Sequence, residues 1–76
     1  MRNPFSIGMR ASHALQEALK LGFKIGLDFT DNKNREIELR LEKPFERVTL
    51  VFGFNGDVKN YCWKDIAGIK FQGGEN

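Results

Sequence analysis

One cysteine, one histidine and two prolines in 76 residues leave the chain short of the groups on which many small proteins rely. A lone Cys62 closes no internal disulfide, so stability has to come from packing or self-association. A zinc site takes about four nitrogen or sulfur ligands, which His13 and Cys62 do not supply, and a nucleophilic thiol lacks an oriented base. His13 reads as a solvated helix residue and Cys62 as a small sheet hydrophobe. No glycine-rich loop precedes a helix, since Gly22 follows one, so a phosphate cradle is missing as well. No catalytic residue, metal or cofactor is expected, and the chain is not expected to be an enzyme. Apolar runs such as residues 50–52 fall far short of the ~20 residues of a membrane helix. No secretory apolar stretch follows Met1 to Phe5, which points to reducing, cytoplasmic surroundings.

Nor is there charge of one sign. Twelve Lys and Arg against ten Asp and Glu give +2, too mild to demand a nucleic-acid partner. The distribution is uneven: residues 1–26 hold four basic groups against one acidic, 27–46 four against six, and 47–76 four against three. Glu36, Glu38 and Glu42 alternate on one strand face, but Arg40 lies among them and Lys24 opposite, the composition of a solvated face.

What is present is a change of period. Between Met9 and Gly22, Ala11, Leu15, Ala18 and Leu19 recur at helical spacing, with Ser6 or Ser12 as the expected N-cap and Gly22 as the C-cap. Beyond Gly22 the period becomes two. Phe23, Ile25, Leu27 and Phe29 alternate with polar residues, Asp31 to Asn34 is turn chemistry, and Ile37, Leu39 and Leu41 alternate again. Setting Phe29 opposite Ile37 places Leu27 against Leu39 and Ile25 against Leu41, all on one face, with Lys24 against Glu42 on the other.

Pro44 bends the chain, and residues 47–54 read as a central strand covered on both faces. Asn55-Gly56 is a type I′ hairpin signal that sets Phe54 opposite Asp57, Leu50 opposite Tyr61 and Val48 opposite Trp63. Ala67, Ile69 and Phe71 complete a short fifth strand. The expected fold is mainly β (α+β): an N-terminal amphipathic helix and a bent five-stranded antiparallel sheet curled into an Sm-like or SH3-like small barrel. Residues 1–71 form one domain and 72–76 a flexible tail.

The element order, with the run Tyr61-Cys62-Trp63-Lys64-Asp65-Ile66-Ala67-Gly68-Ile69, resembles the Sm-like fold and the bacterial YolD-like group. The resemblance implies a closed barrel and, in its RNA-binding members, an RNA site. The places of the RNA motifs here read Lys43-Pro44-Phe45-Glu46-Arg47 and Lys64-Asp65-Ile66, which do not match.

Three functions follow from these readings. The preferred one is a non-catalytic intracellular binder acting through protein–protein contact, in the style of the regulators and inhibitors of host systems that phages and mobile elements encode. Its candidate contacts are Phe5, Ile7, Met9, Phe45 and Phe71, apolar residues at the ends and the bend, with a homo-oligomer expected through unpaired strand edges. The second is a single-stranded nucleic-acid or RNA module using Lys59, Tyr61 and Trp63 on alternate positions, with Arg10 and Lys20 at the basic end. In the competing reading Tyr61 and Trp63 cover Val48 and Leu50 in the core. The third is an oligomer that sequesters a small nucleotide.

Overall fold

The computed structural model describes residues 3–65 and the backbone of 70–73. In chain order its elements are α1 (Ala11–Lys20), β1 (Lys24–Asp31), β2 (Glu36–Lys43), β3 (Glu46–Gly53), β4 (Val58–Asp65) and β5 (Lys70–Gly73). Each strand pairs antiparallel with its predecessor, and among the described residues β1 has no neighbour but β2. The sheet is therefore open. Four strands of eight residues carry it, and the four residues of β5 pair only with the end of β4. This overturns the expected bent five-stranded Sm-like or SH3-like barrel. A barrel hides its apolar face by curling round it, whereas here α1 covers that face and the sheet edges need not meet. The expected strand of Ala67, Ile69 and Phe71 lies largely outside the described residues; of these only the backbone of Phe71 falls in β5.

The core is one layer between helix and sheet. Ala14 and Ala18 of α1 are buried with Leu39 and Leu41 of β2, Val48 and Leu50 of β3, and Val58 and Trp63 of β4, joined by Phe5 and Phe23. Trp63 meets Phe5 edge-on at 5.8 Å and Phe23 at 6.1 Å between ring centroids, a favoured aromatic geometry. Its indole N–H donates to Glu46 Oε1 at 2.9 Å, so burying the ring strands no polar atom.

Neither serine caps the helix. Arg10 is the N-cap and makes no side-chain cap bond. Instead the Ala11 N–H donates to the Gly56 carbonyl at 2.7 Å, while Arg10 Nη1 reaches Asn55 O at 3.0 Å and Asp57 Oδ1 at 2.9 Å. A tertiary contact to the β3–β4 turn thus replaces a local cap. The C-terminus closes as the glycine suggests, with the cap one residue earlier than expected. Leu21 is the C-cap, Gly22 follows at φ +96°, the Gly22 N–H donates to Leu19 O and the Phe23 N–H to Ala18 O. This is the Schellman pattern, with Phe23 and Ala18 both in the core.

Both hairpins depart from the expected register by one residue at the turn and regain it at a bulge. In the first, Asp31 pairs with Glu36 and Phe29 with Glu38, not Ile37. The ladder recovers the expected Ile25–Leu41 and Lys24–Glu42 pairs only after Gly26, the extra residue between Ile25 and Leu27. Because side chains alternate, this slip places Leu27 and Phe29 opposite Arg40 and Glu38, on the face away from α1. Leu27 is 40% and Phe29 55% exposed, and Ile25, which keeps the expected pairing on the helix side, is 54% exposed as well.

In the second hairpin Gly56 alone has positive φ (+89°), not Asn55. The Gly56 N–H donates to Gly53 O and the Gly53 N–H to Asp57 O, giving a three-residue loop in place of the type I′ turn. Phe52 accordingly pairs with Val58, Lys59 is left over, and Val51–Asn60, Leu50–Tyr61 and Val48–Trp63 follow as expected. β3 is central, but α1 covers only the face of Val48 and Leu50; Thr49 and Val51 stay half-exposed on the other, so the expected double covering does not occur.

Asp31 holds the first turn, accepting from the Asn34 backbone N–H at 3.1 Å and from its side-chain amide at 2.8 Å. These bonds favour the carboxylate and keep its pKa below the ordinary value. The turn's contribution is accordingly complete above the unfolded carboxylate range and lost as pH falls through the lowered folded value.

The bulge makes a direct prediction. Leu41→Ala, at a fully buried site, is expected to cost about 2–5 kcal/mol, and Leu27→Ala no more than about 0.5 kcal/mol. Urea denaturation measures both; comparable losses at the two sites contradict the register.

Candidate interaction surface

Of the two prolines, Pro44 shapes the loop between β2 and β3. Lys43 pairs with Glu46, so Pro44 and Phe45 are the whole of the β2–β3 loop. Proline fixes its own φ near −65°, and a positive φ at the next residue makes the turn a type II pattern, which normally takes glycine there. Phe45 sits there at φ +73°. For a bulky side chain this conformation costs about 1–3 kcal/mol. Nothing in the fold repays it, because the residue is 74% exposed, more than any other large hydrophobic described.

The base of the same hairpin is held firmly. Lys43 Nζ donates to the Leu21 carbonyl at the end of α1 at 3.0 Å, lies 4.8 Å from the Phe23 ring centroid and faces Glu46 at 3.5 Å. Arg47 Nε donates to Glu42 Oε2 at 3.1 Å on the outer face. Phe45 thus projects from a turn whose two legs are pinned to helix and sheet, with charged pairs round it. A rigidly presented aromatic with a polar surround is the composition of an interface anchor.

The other expected contact residues are dispersed. Phe5 is 4% exposed and belongs to the core. Met9 is half-buried against that core, its backbone carbonyl accepting from the Val58 N–H. Ile7 is exposed, and the side chain of Phe71 lies outside the described residues. Phe5, Ile7 and Met9 therefore divide between core and surface, and only Ile7 and Phe45 present most of their area to solvent. Leu27 and Phe29 carry exposed apolar area that alternation alone assigned to the core.

The expected stacking row is not brought together. Trp63 is buried, and Tyr61 packs beside it with its ring 5.9 Å from Phe5 and its hydroxyl accepting from Asn3 Nδ2 at 3.0 Å. Lys59, the bulged residue, turns to the outer face, where its ammonium bonds Glu36 Oε2 at 2.8 Å. Lysine and aromatics thus occupy opposite faces of the sheet. Arg10 is spent on the β3–β4 turn, and Lys20 lies 3.5 Å from Glu17 on the exposed side of α1. No helix among the described residues is long and apolar enough to cross a membrane.

No protein-family model, curated protein or solved structure matches this chain.

Replacing Phe45 by glycine removes the strain at the cost of a more flexible unfolded chain. Phe45→Gly is expected to raise stability by about 1 kcal/mol. Urea or thermal denaturation reads the change, and a loss of stability shows that the phenyl ring packs on its own chain.

Proposed function

We propose that this protein is a non-catalytic binding protein that acts by contact with another protein, with Phe45 as its anchor. The observation that carries the reading is the pairing of strain with exposure at Phe45: the fold holds an aromatic in a glycine conformation and leaves it in water. Folding alone disfavours that arrangement, whereas a partner with an apolar pocket rewards it. The pinned hairpin supports the same reading, since a ring held in place before binding loses little freedom on docking.

The test compares wild-type and Phe45→Gly proteins, equally folded, as baits in lysate of the source organism, with captured proteins quantified by mass spectrometry. The expected result is a protein enriched by wild type and lost with the glycine variant; for the purified pair, the variant binds about 30-fold or more weakly, as truncating an anchor of about 2 kcal/mol implies. Identical capture by both baits contradicts the role given to Phe45.

A further inference from the structure

The free edge of β1 has a pattern of its own, independent of Phe45. Its seven paired positions run Lys24, Ile25, Leu27, Asp28, Phe29, Thr30 and Asp31, with Gly26 outside the ladder. Pairing to β2 assigns each a face. Lys24, Leu27, Phe29 and Asp31 lie opposite Glu42, Arg40, Glu38 and Glu36 on the outer face, while Ile25, Asp28 and Thr30 lie opposite Leu41, Leu39 and Ile37 on the helix side. Every residue from Lys24 to Thr30 is exposed.

We propose that this edge pairs with the same edge of a second copy, antiparallel about a two-fold axis through Asp28, joining two sheets into one. In that register every pair matches in face. Lys24 meets Asp31 and Leu27 meets Phe29 twice each on the outer side, and Ile25 meets Thr30 twice on the helix side. The bulge makes this possible: without the extra Gly26, strict alternation puts Lys24 and Asp31 on opposite faces. Opposite charges and apolar groups set directly across a ladder each stabilise it. Lys24 forms no ion pair among the described residues, and the Asp31 carboxylate, which accepts hydrogen bonds within its own turn, has no cationic side chain paired with it there. The edge amides and carbonyls, which no strand among the described residues of one copy pairs, find partners in the other.

One pair opposes the rest. Asp28 faces its own twin across the axis, and like charges so placed weaken the ladder. The dimer is therefore weak and concentration-dependent, and the same repulsion keeps the edge from recruiting strands indiscriminately. The repulsion also identifies the register. The two neighbouring face-matched registers set Asp28 against Ile25 or Thr30, where its charge meets no like charge.

Sedimentation velocity on the full chain, up to about 1 mM, where even weak specific contacts populate, tests the proposal with two variants of opposite sign. The wild type is expected to dimerise with rising concentration. Lys24→Glu, which turns both ion pairs repulsive, weakens the dimer at least about tenfold, and Asp28→Asn, which removes the central repulsion, tightens it by about threefold to tenfold. Both residues are exposed, and circular dichroism confirms that each variant folds. Phe45→Gly dimerises like the wild type, so this outcome and the fate of the Phe45 reading are separable. A wild type that stays monomeric throughout, or a dimer that responds to neither variant in the stated direction, overturns the proposal.

Discussion

One ten-residue helix has to cover a sheet that is wider than it is. Such a helix is about 15 Å long and about 10–12 Å across with its side chains, and strands lie about 4.8 Å apart, so it shields about three strands whichever way it lies. The three it shields are β2, β3 and β4, which supply all the buried strand side chains among the described residues. β1 supplies none. Most other features follow from that shortfall: the sheet stays open, the outer face keeps its charged pairs, and an entire edge strand remains in water. Phe5 and Phe23 extend the cover by packing against Trp63 from the two ends of the helical segment.

Given an uncovered strand, the bulge at Gly26 decides what that strand displays. A slip of one residue exchanges the faces of every side chain beyond it, and Leu27 and Phe29 go outward while Asp28 and Thr30 turn toward the helix side. The second hairpin makes the same kind of slip, but its bulge at Lys59 follows the turn almost at once, so the change is confined to the few residues beside the turn. The position of the bulge sets how many side chains of each strand change face.

Helix, strand order and the inner register of β3 and β4 were legible because period and turn residues act locally: Val48 and Trp63, Leu50 and Tyr61 stand where alternation puts them. The register of β1 was not, because alternation assumes an unbroken ladder and Gly26 reads equally as a bend. The cap of α1 was hidden for another reason, since its partner is Gly56, far along the chain. Among the candidate contacts, Phe45 was visible as an apolar residue at a bend, whereas its strain depends on turn geometry that residue types alone leave open. Phe5 looked like a free end residue because the aromatic cluster it completes is assembled only in three dimensions.

Leu27 and Phe29 face away from α1, and proton–proton contacts report this directly. In a NOESY spectrum of the methyl-labelled protein, the Leu27 methyls should show cross-peaks to the side chains of Arg40 and Thr49, which share its cross-strand row, and none to Val48 or Ala14. Cross-peaks from Leu27 to Val48 or to α1 contradict the bulged register, and with it the surface that β1 is held to present.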